Sequence, residues 1–358
     1  MHNSLYKTYK ILAIESSCDE TAAAVLVKNA QRSSTLSNVI ASQIQLHRKT
    51  SGVVPEVAAR AHVQKIGVIV QKALQQAKCS LTDIDYIAVT VGPGLSPSLL
   101  VGTEYAKTLA AAAGKKLVAE NHMLGHLYSA FLENPSLALP SINLIVSGGH
   151  TYLIHLESKK GFTVIGQTVD DAAGEAFDKV AKMLKLGYPG GPEVAKWAEK
   201  WKESKGPAHK NNATDYVFPR PMLHSKNYDF SFAGLKTAVL YKIKNDRLDI
   251  KNAQVKTNIC HSFQNAAVDV LIAKTMRAAE EYKAKSITLS GGVAANKKLR
   301  QELAAAAKKS GRKFYVPDFS LCTDNALMIA NAAAIRIENG YKFPAISKIK
   351  INPNLSLK

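Results

Sequence analysis

At 358 residues, 46% of them hydrophobic, the chain has the size of about two globular domains and enough apolar content for a sizeable core. No apolar stretch approaches the roughly 20 uncharged residues of a membrane span, so a soluble protein with no membrane partner is expected. Lysine and arginine outnumber aspartate and glutamate by 47 to 28, a formal net charge of +19; an excess of that size favours a polyanionic partner, because each neutralised phosphate releases counterions.

The opening MHNSLYKTYK is too short for a transit peptide, so a mature or trimmed form is one expectation. Ile11 to Leu26, ILAIESSCDETAAAVL, reads as an apolar strand, a small polar turn and a second apolar strand. Asp19 and Glu20 lie in that turn as candidates to orient water or accept a proton, although such a pair is also ordinary surface chemistry. Cys18 beside them has no evident histidine partner and reads as a small buried residue ahead of a nucleophile. With Cys79, Cys260 and Cys322 it makes no CxxC spacing, which argues against a zinc ribbon or a disulfide framework. Tyr86 to Ala110 then reads as strand, Gly-Pro-Gly turn and helix.

Asn121 to Phe131, NHMLGHLYSAF, places His122 and His126 four residues apart, on one face of a helix for which Asn121 is a suitable cap. Two readings stand: a pair that chelates one divalent metal, and simple packing. A zinc protease would need HExxH, and Met123 occupies the glutamate position, so the nearest general base for peptide hydrolysis is missing. A third ligand must come from elsewhere, and Asp324 in LCTDNALMIANAAAI is attractive, although helix capping explains an aspartate there equally well.

Ile142 to Leu156, INLIVSGGHTYLIHL, and Ile287 to Asn296, ITLSGGVAAN, each send an apolar run into a Gly-Gly turn, where outward backbone N–H groups let a phosphate approach. Two such turns suggest one nucleotide held from two sides. Between them lies a carboxylate cluster, Asp170, Asp171, Glu175 and Asp178, followed by Pro-Gly-Gly-Pro. Asp178 is placed to accept from ribose hydroxyls, and a solvated acidic face accounts for the cluster as well. Lys196 to Lys210 interleaves Trp197 and Trp201 with lysines; a solvated helix face with both tryptophans inward is favoured over a face that touches RNA. Strand–turn–strand followed by strand–turn–helix thus occurs twice, which predicts two duplicated α/β lobes facing each other across a central nucleotide cleft. The first lobe is expected over 8–140, completed by 331–358, and the second over 141–330.

The segments IESSCDETAAAV, GVVPEVAARAHV, VGPGLSPSLLVG, NHMLGH, VSGGHT, DDAAGEAFDKVAK, YPGGPE, FSFAGLKTAV, SGGVAAN and CTDNALMIA occur in the order seen in the tRNA N(6)-adenosine threonylcarbamoyltransferase family. The chain resembles that family from about Ile11 to beyond Ala334. The resemblance implies a fold similar to actin, Hsp70 and sugar kinases, with ribonuclease H-like lobes. It implies that His122, His126 and Asp324 hold one zinc or iron ion per subunit. It further implies that Ile145, Val146, Ser147, Gly148 and Gly149 cradle the substrate phosphate beside that metal, and that Asp178, Gly191 and Asn296 hold ribose and adenine. Two departures place the chain within the family: Ile145 stands where archaeal and eukaryotic cytosolic members carry a tyrosine ligand, and Ala195 stands where several bacterial members carry an aspartate that touches the nucleotide. With the basic composition, this pattern looks most like the mitochondrial branch, which implies a matrix location and a homodimer; the alternative is bacterial cytoplasm.

The activity implied is acyl transfer, in which the exocyclic amine of the adenosine next to the tRNA anticodon attacks the carbamoyl carbon of threonylcarbamoyl-AMP and AMP leaves. A separate adenylate-forming enzyme would supply that donor. Asp19 or Glu20 would take the proton from the amine. An ATPase or kinase of the same actin-like fold is the alternative, and it would hold Mg²⁺ with carboxylates and water instead of a His-His-Asp set. A third reading is a non-catalytic tRNA-binding subunit.

Overall fold

The computed structural model describes residues 8–357 apart from Gln31, Ser51 and 204–215. The chain divides into two compact units, one running to Leu137 and resuming at Pro317, the other Ala138–Val316.

The first unit is built on the strands β1 (Tyr9–Glu15), β2 (Glu20–Lys28), β3 (Ser33–Ser42), β4 (Tyr86–Gly92) and β5 (Lys116–Asn121), in the spatial order β3-β2-β1-β4-β5. The first three form an antiparallel meander, and β4 and β5 add parallel to β1. Parallel addition needs a crossover, and α2 (Pro55–Gln76) and α3 (Ser96–Ala113) supply it, after the single turn α1 (Ile44–His47). Two further short helices, α4 (His122–Tyr128) and α5 (Ala130–Glu133), follow β5.

The second unit repeats this connectivity. Strands β6 (Ser141–Val146), β7 (Thr151–Ser158), β8 (Gly161–Gln167), β9 (Ser286–Ser290) and β10 (Lys313–Tyr315) lie in the order β10-β9-β6-β7-β8, again an antiparallel meander extended by parallel strands. Its helices are α6 (Ala173–Met183), α7 (Gly190–Glu203), α8 (Ala233–Asn245), α9 (Ala253–Glu281) and α10 (Lys297–Lys309). The duplication suspected from two weakly similar halves is therefore present in the strand order.

The chain re-enters the first unit at Pro317 instead of 331, because α11 (Phe319–Cys322) and α12 (Ala326–Glu338) belong there. Helix α12 is small and apolar almost throughout, and it covers one face of the sheet: Ile11, Ala13, Ala22, Ala24 and Ala88 pack with Met328, Ile329 and Ala333. The alternate residues Leu12, Ile14, Val25, Ile87 and Val89 point to the other face, against Ile66, Ile69 and Val70 of α2 and Ala106 of α3. A sheet with helices on both faces favours apolar residues at its central positions, which is why ILAI and, apart from Thr90, IAVTV read as continuous runs. Among the described residues no helix is long and apolar enough to cross a membrane.

Candidate functional site

In the first unit, β5 ends at Asn121, whose side chain accepts the Met123 N–H at 2.8 Å and starts α4 as the sequence predicted. The helix places His122 and His126 together, ring centroids 4.8 Å apart and nearly perpendicular. Between them is Gly125, and a Cβ there would lie 2.9 Å from Ile329 Cδ1 and 3.0 Å from Met328 Cγ. Only glycine lets α4 press directly on α12, and that contact brings the loop before α12 to the histidines. The cap of α12 is Asn325, which accepts the Met328 N–H at 3.0 Å, so Asp324 is not occupied as a helix cap. Its Oδ1 lies 3.3 Å from His122 Nε2 and 3.2 Å from His126 Nε2. Donor atoms of all three residues fall within 4.8 Å of one another.

Behind them is a residue the sequence reading passed over. Glu15, wholly buried at the end of β1, faces His122 Nδ1 with Oε2 at 3.1 Å, accepts Thr90 Oγ1 at 2.6 Å, and takes the Ser17 N–H on Oε1 at 2.5 Å. A carboxylate that ends an otherwise apolar strand was the available signal.

Electrostatics bind this group together. Burial disfavours a charged His122, but Asp324 and Glu15 outweigh it and push the ring well above the usual histidine range. Burial likewise opposes ionisation of Asp324, yet the two rings hold its carboxyl well below the usual range. His126 goes the other way, lowered by burial despite its hydrogen bond to Asp324. Two imidazole nitrogens converging on one carboxylate oxygen, with the far nitrogen of His122 held by a buried carboxylate, fit a borderline divalent ion such as zinc or iron. Met123, in the position where a zinc protease carries its glutamate, is fully buried.

The neighbouring turn carries Cys18, Asp19 and Glu20. Burial, with Asp19 and Asp324 adding like charge, pushes the Glu20 carboxyl well above the usual range. Burial and the Asp19 charge push the Cys18 thiol up too, which favours the inert reading of this cysteine. A buried polar chain supports the turn: His62 Nε2 meets Cys18 O at 3.0 Å, His62 Nδ1 meets Thr21 Oγ1 at 2.8 Å, and Gln43 N donates to Asp19 O at 3.0 Å. His62 and Gln43 were not singled out from the sequence.

In the second unit, the turn after β6 is closed by Ser147 N donating to His150 O at 2.8 Å and His150 N donating to Ser147 Oγ at 3.1 Å. The Ile145 and Val146 side chains are buried, so these residues present only backbone. Among the described residues the amides of Gly148 and Gly149 donate to nothing, and a Cβ at either would meet no atom within 4 Å. Neither has a left-handed φ. Internal packing therefore gives no reason for glycine at these positions. Gly174 and Gly291 are different. A Cβ on Gly174 would lie 2.5 Å from Ser147 O, and one on Gly291 (φ 88°) would overlap Val146 O. The start of α6 and the second Gly-Gly turn are thus pressed onto the first turn.

Asp178 on α6 accepts the Gly190 N–H at 2.7 Å and so ties the Pro-Gly-Gly-Pro turn, with Gly191, to this corner. Asn296 caps α10 through Leu299 N at 3.0 Å and donates to Gln264 Oε1 at 2.8 Å. The other carboxylates have structural partners: Asp170 accepts from Phe232 N at 2.8 Å, and Asp171 pairs with Lys179 at 2.7 Å and Lys236 at 2.8 Å. Trp201 is buried and stacked on His261 at 3.6 Å, as the inward reading expected, whereas Trp197 is only half-buried; of Lys196 to Lys210, residues 204–210 lie outside the described part.

Comparison with known proteins gives this geometry its context. Among solved structures, HypF of T. kodakarensis superposes with a TM-score of 0.62 at 12% identity, over 94% of this chain and 48% of that one, a likeness of fold. A tRNA N6-adenosine threonylcarbamoyltransferase of Thermosipho melanesiensis is 48% identical over 97% of this chain and 99% of its own length. One from Clostridium perfringens is 47% identical over 97% and 98%. The family model described as TsaD, tRNA N6-adenosine threonylcarbamoyltransferase, matches residues 34–331. With end-to-end identity of that order, and with the motifs of the resemblance converging on a His-His-Asp group in one unit and a glycine turn in the other, the chain belongs to the tRNA N6-adenosine threonylcarbamoyltransferase family.

Proposed function

We propose that this chain transfers the threonylcarbamoyl group of threonylcarbamoyl-AMP to the exocyclic amine of the adenosine beside the anticodon, in tRNAs that read codons beginning with A. The observation that carries the proposal is the 48% identity extending over 97% of the chain and 99% of a relative of that name. A mixed anhydride is already activated, so the protein's tasks are positioning, stabilisation of the leaving phosphate and exclusion of water.

In the second unit the Gly148 and Gly149 amides are donors for phosphate oxygens, and Asp178, Gly191 and Asn296 are assigned to ribose and adenine. Asp178 and Asn296 would serve while still holding the Gly190 amide and the α10 cap. In the first unit His122, His126 and Asp324 would hold zinc or iron, whose chemistry is that of a Lewis acid carrying concentrated positive charge. Asp19 or Glu20 would take the proton that the amine loses as it attacks; burial and the Asp19 charge raise the Glu20 carboxyl, so its ionised form is a stronger base than an ordinary carboxylate.

The His-His-Asp donor set supports this reading over an ATPase or kinase with carboxylate-held Mg²⁺. The adenylate would come from a separate enzyme, and a homodimer is the assembly proposed. The relatives named above are bacterial, which supports the bacterial cytoplasm and lends nothing to the mitochondrial placement suggested by basic composition, Ile145 and Ala195.

The test is transfer by the purified chain, given threonylcarbamoyl-AMP and an unmodified tRNA transcript, with ATP turnover measured beside it. Modified adenosine in the digest is expected. Steady ATP hydrolysis with no modified tRNA would instead favour the ATPase.

A further inference from the structure

Helix α7 begins at Gly190, at the corner assigned to ribose, and runs away from it with Trp197 less than two turns along, about 9 Å from Gly191 at 1.5 Å per residue. Trp197 is half-buried, with Lys200 Nζ 4.0 Å from its ring centroid and Lys256 Nζ, from the start of α9, at 5.4 Å. Lys196 is exposed one helical turn before Lys200. Lys297, the residue after the Asn296 cap, reaches Glu199 at 3.4 Å, and the two side chains keep 68% and 58% of their exposure. A pair so exposed binds its lysine weakly and leaves it open to exchange for a phosphate.

We propose that Trp197 with Lys196, Lys200, Lys256 and Lys297 forms the face that grips single-stranded RNA next to the reacting adenosine, one flanking base stacking on the indole and the lysines taking backbone phosphates. The inference rests on the tRNA transferase reading of the same unit. Anticodon-loop bases are splayed from a helix and stack readily on aromatic rings, and base-on-aromatic stacking tolerates any sequence. An incoming base displaces the more distant Lys256 from the ring, which frees an ammonium for the phosphate beside that base. The patch adjoins the corner assigned to the adenylate, because α7 and α10 each carry an assigned adenylate residue at one end and a patch lysine within two turns.

The experiment measures binding of an unmodified tRNA transcript to the full chain as a function of KCl, with AMP affinity measured in parallel. Wild type is compared with Trp197→Ala, Trp197→Phe, Lys200→Glu with Lys256→Glu, and Lys160→Glu, the last being the same charge change at an exposed turn elsewhere in the unit. Trp197→Ala is expected to bind tRNA about 5- to 100-fold more weakly, and Trp197→Phe to recover most of that. The double reversal is expected to flatten the slope of log K against log salt by about 2. Lys160→Glu should leave that slope as it is, and AMP affinity should hold throughout. Trp197→Ala and the double reversal binding tRNA like wild type overturns the inference while leaving the transferase standing. Wild type that binds AMP and no tRNA overturns both.

Discussion

Replacing Glu15 by glutamine removes one charge from a carboxylate that is wholly buried and serves three partners, Ser17 N at 2.5 Å, Thr90 Oγ1 at 2.6 Å and His122 Nδ1 at 3.1 Å. Glutamine offers one oxygen where the carboxylate offers two. If that oxygen keeps Thr90 and His122, the new NH2 group meets the Ser17 N–H; turned over, it meets His122. In the first pose the buried Ser17 N–H loses its acceptor, at a cost of about 1–3 kcal/mol; in the second, His122 Nδ1 keeps only Ser17 Oγ, at 3.2 Å. The charged acceptor that fixes the His122 ring is also gone, and such outer partners of ligating histidines are typically worth about 10–100-fold in metal affinity. Glu15→Gln should therefore bind zinc or iron about 10–100-fold more weakly and unfold about 1–3 kcal/mol more easily. Competition against a chromophoric chelator gives the affinity, and urea unfolding in excess chelator gives the stability separately. A folded Glu15→Gln protein whose metal affinity stays within about twofold of wild type would refute the idea that Glu15 orients His122.

Other changes probe other links. His126→Ala removes a donor from the His-His-Asp triad, and should abolish stoichiometric metal in elemental analysis while far-UV circular dichroism stays near wild type. Gly174→Ala puts a Cβ 2.5 Å from Ser147 O and so displaces the phosphate turn; the KM for the adenylate should rise, with a stability loss of about 1–3 kcal/mol in urea. Lys274 is 1% exposed, and burial lowers its pKa to about 8 from 10.5. Below pH 8 both folded and unfolded chains hold its proton and the fold carries the whole burial cost; between about 8 and 10.5 the unfolded chain binds more proton, so stability rises with pH there. Its partners keep other bonds, Ser225 Oγ to Met222 O at 2.9 Å and Asn227 O from Arg277. Lys274→Met should thus be the more stable protein at pH 7, with the advantage shrinking by about 2 kcal/mol at pH 9.5; an advantage that does not change with pH would contradict the burial argument.

Much of the fold was legible because buried strands and glycine turns leave strong marks. ILAI, IAVTV, INLIV and ITL are apolar except at Thr90, Asn143 and Thr288 and buried throughout, as suits strands covered on both faces, and they gave both sheets their central members. The return of the chain at Pro317 was not legible. Helix α12 is apolar all round, and such a helix does not say which sheet it covers. At the site, the histidine spacing pointed to one helical face, but Asp324 could be told from a helix cap only once Asn325 was seen to do the capping. Glu15 and His62 were missed because their partners lie far away in sequence, His122 for one and the Cys18 carbonyl for the other. Conversely, Asp170 and Asp171 looked chemical as a cluster and proved to hold α8 and two lysines.

Whether this chain moves a threonylcarbamoyl group onto tRNA is decided by single-turnover transfer. Purified protein in excess over threonylcarbamoyl-AMP carrying labelled threonine is mixed with unmodified tRNA, and label in tRNA and free AMP are followed together. AMP and threonylcarbamoyl-adenosine should appear in equal amounts, and product should vanish in His122→Ala. Release of AMP with no label in tRNA would contradict the proposed transfer.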